Sequence, residues 1–142
     1  SEGALRITRE NARRLGVQNR LVAVYANVLE APPNSMGQFD IMVSNPPYVT
    51  RTEMHELDRS VYSYEPHEAL YGGADGLDFY RAICQRWSGL LVPGGVLLFE
   101  CGWQQATQVA AIMDEHGFAG IGITEDLAGV PRIVFGYWSS AS

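Results

Sequence analysis

A chain of 142 residues with 46% hydrophobic and 18% charged positions is long enough for a real core and too apolar to be a disordered tail. Its net charge of −6 argues against a broad phosphate-gripping surface, so no direct nucleic-acid partner is expected. No run approaches the roughly 18 apolar residues of a membrane helix, so no membrane partner is expected either.

In chain order, Ala4, Leu5, Ala12 and Leu15 recur at helical spacing, with Ser1 as N-cap and Gly16 as stop. The chain opens directly in this pattern, without a start methionine or a signal peptide, and reads as a piece of something longer. Leu21 to Ala26 is a short β run, and residues 31–37 are loop material. Phe39 to Ser44 is a second strand, nearly continuously apolar, as expected where both faces are covered. Residues 49–76 form a long irregular stretch of the kind that usually serves as a lid or binding loop. Leu77 to Leu91 is one helix, with Leu77, Tyr80, Ile83, Cys84 and Trp87 on its buried side. Pro93-Gly94-Gly95 then turns into a buried strand, Val96 to Glu100. Gln104 to His116 is an amphipathic helix closed by Gly117, and the strands Phe118–Thr124 and Arg132–Trp138 make a terminal hairpin. Strands separated by helices imply parallel pairing, so the whole is an α/β sheet ending in an antiparallel edge.

The stretch that speaks about function is Ser44-Asn45-Pro46-Pro47-Tyr48. Two consecutive prolines cannot extend a ladder or enter a helix interior, and the residue before them is pushed extended. A stiff loop therefore sits at the carboxyl end of a strand, where open α/β sheets bind ligands. Seen alone, Asn-Pro-Pro is equally a turn that ends a strand. The histidines His55, His67 and His116 lack ligand-like grouping, and no metal is expected. Cys84 and Cys101 lack Cys-x-x-Cys spacing and read as packed thiols of a reducing compartment. Trp87, Trp103 and Trp138 read as core, Asp75 and Asp78 as turn and helix-cap residues, and Arg132 as the partner of Glu125 or Asp126 across the hairpin.

Four ordered blocks carry a family resemblance: Phe39-Asp40 through Asn45-Pro46-Pro47-Tyr48, Glu65-Pro66 with Ala69-Leu70, Gly73 through Tyr80, and Phe99-Glu100 with Gly102 and Gln105. Asp126 to Gly129 and Arg132 echo the last block. Together they resemble the class I S-adenosyl-L-methionine-dependent methyltransferases, more narrowly the HemK/PrmC family that methylates a glutamine side-chain amide of peptide chain release factors. The resemblance implies a Rossmann-like sheet and one partial catalytic domain over residues 1–142, located in the cytoplasm, or in the mitochondrial matrix of a eukaryote. It also implies S-adenosyl-L-methionine as cofactor, bound by Asn27, Val28 and Asn45. The substrate is expected at Asn45, Pro46, Pro47 and Tyr48, with Asn45 catalytic. Glu65-Pro66 is expected to shape the loop near the substrate.

The family's glycine-rich cofactor loop, its ribose-binding acid and its small recognition domain are not found in this sequence. Many members also carry Gly-Asp where Ala26-Asn27 stands, which implies altered cofactor affinity rather than its loss. The chain by itself is therefore expected to bind the cofactor weakly and to associate with itself through an exposed strand edge. Three alternatives stay open: an amino-group methyltransferase acting on adenine or guanine, a ribosomal-protein glutamine methyltransferase, and a non-catalytic binding module.

Overall fold

The structure is a computed structural model that describes residues 1–56 and 67–139, of which residues 67 and 68 are described by their backbone. Helix α1 (Glu2–Arg14) starts where the sequence places it, since the Ser1 hydroxyl accepts from the Ala4 N–H at 3.2 Å. Glu2 in its first turn and Arg13 and Arg14 in its last suit the helix dipole.

The sheet has four strands, β1 (Phe39–Ser44), β2 (Leu91–Glu100), β3 (Phe118–Glu125) and β4 (Pro131–Trp138), in the order β1-β2-β4-β3. β1 and β2 are parallel, while β4 runs antiparallel to both β2 and β3. The parallel crossover and the terminal hairpin are thus both present. β2 begins five residues earlier than expected, at Leu91 instead of Val96. Its pairing jumps from Phe39↔Leu91 to Ile41↔Val96, because Pro93 has no N–H to donate and Gly94 sits at φ +81°.

Between β1 and β2 lie α2 (Arg51–Glu56), α3 (His67–Leu70) and α4 (Asp78–Ala82). The single helix expected over 77–91 is instead α4, a π turn over Ile83–Trp87 and a 3₁₀ turn over Ser88–Leu90. The Ser88 hydroxyl donates back to the Cys84 carbonyl at 2.7 Å, and the wider turn buries Ile83, Cys84 and Trp87 together. α5 (Ala106–Glu115) is preceded by Gln104 at φ +66°, which rules that residue out of the helix.

One sheet face forms the core with these helices: Leu97, Phe99 and Val134 pack with Tyr80, Val109 and Met113. The Tyr80 ring meets Phe99 edge-on at 5.0 Å between centroids, and its hydroxyl donates to the Glu100 carbonyl at 2.9 Å. Burial raises the pKa of the Tyr80 phenol, and it pushes the Cys84 thiol up to about 12. Burial also raises the Cys101 thiol, so both cysteines are inert packing groups.

Several sequence expectations are corrected here. Residues 21–26 form no strand, for among the described residues no neighbour offers them a ladder. Val22 and Tyr25 stand 86% and 68% exposed. β1 is not covered on both faces: it is the sheet's edge, and Ile41 and Val43 are exposed. Trp87 is core and Trp138 packs on Phe118, but Trp103 lies outside the core on an exposed turn. Asp75 is the turn residue expected, accepting from the Leu77 N–H at 3.0 Å, whereas Asp78 caps nothing and pairs with Arg81. Glu65-Pro66 lies outside the described residues. No helix among those described is long and apolar enough to cross a membrane.

Replacing Tyr80 by Phe removes one buried donor and leaves the ring packing intact. The expected loss is about 1 kcal/mol of unfolding free energy, read from urea denaturation.

Candidate active site

Because β1 and β2 are parallel, the residues that follow them emerge at the same end of the sheet. Asn45–Tyr48 leaves β1, and Cys101–Gln105 leaves β2. Antiparallel β4 begins at that end too, where the Cys101 N–H donates to the Arg132 carbonyl at 2.8 Å. Three connections therefore converge on the carboxyl ends of the parallel pair, the usual ligand edge of an α/β sheet.

The Asn-Pro-Pro-Tyr loop is held by a side chain from the neighbouring connection. Gln105, 8% exposed, donates through Nε2 to the Tyr48 carbonyl and accepts through Oε1 from the Gly102 N–H, each at 3.0 Å. Three glycines let the chains approach. A Cβ at Gly72 would collide with the Pro47 carbonyl oxygen, and one at Gly76 with that of Tyr48. At Gly102 a Cβ would fall 2.6 Å from Tyr48 Cδ2, so the tyrosine ring lies against this glycine. Gly76 also sits at φ +77°, which favours glycine on its own account. Beyond Tyr48 the chain is pinned again, by Val49 N–H to the Leu70 carbonyl at 2.8 Å and Gly72 N–H to the Val49 carbonyl at 2.9 Å. Thr50 and Glu53 then open α2 with reciprocal hydrogen bonds at 2.9 and 3.1 Å.

Within this frame Asn45 is exposed and Pro46 buried. Among the described residues nothing donates to the Asn45 side chain or to the Pro46 carbonyl. Asn45 and Pro46 line a hollow of about 270 Å³ that Tyr48, Val49, Ala69 and Leu70 complete. Tyr48 is also a wall of a second hollow of about 370 Å³, which reaches Glu53, Trp103 and Arg132.

Neither Asn27 nor Val28 lines the Asn45 hollow, and Val28 sits against β1. Val28 lines an apolar hollow of about 190 Å³ with Met42, Val43, Ser44 and Trp87. The Trp87 indole N–H is shared by the Val28 carbonyl at 3.0 Å and the Glu30 carbonyl at 2.9 Å, fixing this segment to the helical layer. The Asn27 amide oxygen already accepts from the Leu29 N–H at 3.0 Å, which leaves it one lone pair. Pro47 turns the loop and, half-buried, gives its carbonyl side to Gly72.

Arg132 pairs with Asp126 at 3.4 Å, one of the two partners expected for it. Hydrogen bonds from the Val130 and Ala128 N–H groups, with Arg132, hold the Asp126 carboxyl below its ordinary range. Asp75 is likewise lowered, chiefly by its hydrogen bond to Arg81. Among the described residues no three His, Cys, Asp or Glu side chains group as metal ligands. Sequence reasoning singled out Gln105 and Gly102 by resemblance without a role for either. The Gly-x-x-Gln spacing after a strand was the available signal.

A family model described as RMKL-like, methyltransferase domain matches residues 1–69. The release factor glutamine methyltransferase of Clostridium acetobutylicum is 39% identical over 134 residues, 94% of this chain and 47% of that protein. That of Cereibacter sphaeroides is 41% identical over the same shares. Over almost its whole length the chain is similar to release factor glutamine methyltransferases. It spans about half the length of the curated relatives it matches. Two solved structures show the fold. A methyltransferase from Pyrococcus furiosus superposes with a TM-score of 0.61 at 14% identity, over 99% of this chain and 60% of that one. The S-adenosylmethionine-dependent methyltransferase SibL gives 0.60 at 15% identity, over 97% of this chain and 41% of that one. The Rossmann-like sheet of those structures is thereby the fold of this chain.

Gln105→Ala would strip the Tyr48 carbonyl and the Gly102 N–H of their partner at once. The expected cost is about 2 kcal/mol, since each buried orphan costs about 1–3 kcal/mol and this pair is partly reachable by water. Chemical denaturation measures it. The backbone amides of Asn45 and Tyr48 should also exchange faster with solvent in that variant.

Proposed function

We propose that this chain is the catalytic portion of an S-adenosyl-L-methionine-dependent enzyme that methylates the side-chain amide nitrogen of a glutamine in a peptide chain release factor, in the cytoplasm. One observation carries the reading: Asn45 and Pro46, consecutive in the chain, line one hollow, and among the described residues nothing donates to the Asn45 side chain or the Pro46 carbonyl. A primary amide brings two N–H donors and fits such a pair. The similarity to release factor glutamine methyltransferases supports the same substrate.

The residues present suit one end of the cofactor. The apolar hollow of Val28, Met42, Val43 and Ser44 suits a flat ring, and Asn27, which precedes Val28 in the chain, keeps a spare lone pair that suits an amino group. Asn27, Val28 and Asn45 are thus the residues of this chain that would hold S-adenosyl-L-methionine. When bound, the cofactor supplies a methyl group activated by its sulfonium charge.

The chain's own work is positioning and electrostatics. An amide nitrogen is a poor nucleophile because its lone pair is delocalised into the carbonyl. Asn45 Oδ1 and the Pro46 oxygen accept the two N–H groups and set the nitrogen's orientation. Both acceptors carry partial negative charge, so they favour the positive charge that grows on nitrogen as it is alkylated. The prolines and the Gln105 clamp hold them in place beforehand, so little reorganisation is left for the reaction itself. Tyr48, backed by Gly102, presents its ring to the amide plane. The surplus proton leaves the alkylated nitrogen for water, so no strong base is required.

In the full-length protein, Asn45→Ala should lower turnover about 10²–10³-fold with cofactor affinity largely kept. Mass spectrometry of the release factor after a timed reaction reads this. Near-wild-type turnover would remove Asn45 from the mechanism.

Tyr48 separates ring from hydroxyl. Tyr48→Phe should be mild and Tyr48→Ala severe, because the ring face is the part in use. Equal, severe losses in both variants would assign the role to the hydroxyl instead.

A further inference from the structure

Trp103 is the odd member of the three tryptophans. Trp87 is 7% exposed, whereas Trp103 is 66% exposed. Among the described residues its ring stacks on no aromatic neighbour and its indole N–H meets no acceptor. Its backbone is nevertheless tightly placed. Gly102, before it, is bonded to the buried Gln105 and covered by the Tyr48 ring; Gln104, after it, is held at φ +66°, a conformation unusual outside glycine. Leaving a large aromatic ring in water on a rigid turn forgoes burial worth several times the effect of a small side chain. Rigid, exposed aromatics of this kind are what protein interfaces use as anchors.

Its position says what it would anchor. The hollow of about 370 Å³ beside Trp103 shares Tyr48 as a wall with the Asn45 hollow. A glutamine side chain seated on Asn45 and Pro46 belongs to a polypeptide, and that polypeptide must leave the site on one side or the other. Past Tyr48 it meets a hollow rimmed by an aromatic ring, the Glu53 carboxylate as an acceptor and the Arg132 guanidinium as a donor. Peptide groups offer a flat face with one donor and one acceptor each, which matches that rim. Resting on the function proposed above, we infer that the Tyr48–Trp103 hollow is a docking subsite for the main chain flanking the methylated glutamine, with Trp103 as its specificity-determining residue.

The test uses the full-length protein and an intact release factor. Trp103→Ala should raise KM for the release factor at least about tenfold, as expected of an interface anchor, with kcat at saturation within about twofold. Trp103→Phe should recover most of the affinity. A second readout is independent of chemistry: in an Asn45→Ala background, iodide quenching of tryptophan emission should fall when release factor is added. Unchanged KM, or quenching that persists in the complex, overturns the subsite. Protection by a single-stranded oligonucleotide in place of the release factor overturns it in favour of a stacking site for bases. Failure of the wild-type enzyme to methylate, with quenching protection intact, would instead fault the proposed reaction and leave the subsite standing.

Discussion

The site depends on one buried amide. Gln105 joins the two connections that leave β1 and β2, accepting from Gly102 and donating to Tyr48 with the two ends of the same group. A carboxylate could not donate to Tyr48, and a shorter amide would not span the gap from the N-cap position of α5 to the proline loop. With both polar atoms satisfied inside the protein, burial at 8% exposure costs nothing for want of partners. The prolines remove local freedom, and Gln105 removes what remains. Rigidity of the acceptors is therefore shared between backbone chemistry and a single tertiary contact.

That contact is possible because the sheet delivers its parts to one place. Parallel pairing of β1 and β2 sends both following loops to the same edge, and the antiparallel β4 returns to it at Arg132. Beneath them Tyr80 reaches up from the core to the Glu100 carbonyl at the last residue of β2, so the strand end is tied from inside as well. The glycines at 72, 76 and 102 are the complementary requirement: side chains there would occupy the space of Pro47 and Tyr48. Core, strand ends and loop thus form a continuous packed column with the two open acceptors at its top.

The sheet's other side differs in character. β1 is an edge, with Ile41 and Val43 exposed, and the apolar residues 21–25 lie near α1 without pairing. Arg9 donates to the Ala23 carbonyl at 3.2 Å, one of the few polar links between α1 and that segment. Val28, expected to meet the cofactor, sits beside this looser half, whereas Asn45, expected to meet both cofactor and substrate, and Tyr48 sit beside the tight half. Stiffness is concentrated at the Asn-Pro-Pro-Tyr loop, where the proposed reaction would need acceptors held in register with the reacting nitrogen.

Much of this was legible before any coordinates, because it rests on local rules. Proline geometry ends β1 after Ser44, Ser1 caps α1, glycines close helices, and the apolar periods of β2, β4 and α5 point to a shared core. What the sequence could not determine was anything set by a partner distant in the chain. The run at 21–26 has the composition of a strand, but a strand exists only where a neighbour supplies hydrogen bonds. Trp103 has the hydrophobicity of a core residue, yet the left-handed turn beside it points the ring to water. Gln105 stands out in the sequence only by resemblance, with no role attached. Its role comes from a carbonyl 57 positions earlier, brought within 3.0 Å by the parallel crossover, and no pattern local to either residue encodes that meeting.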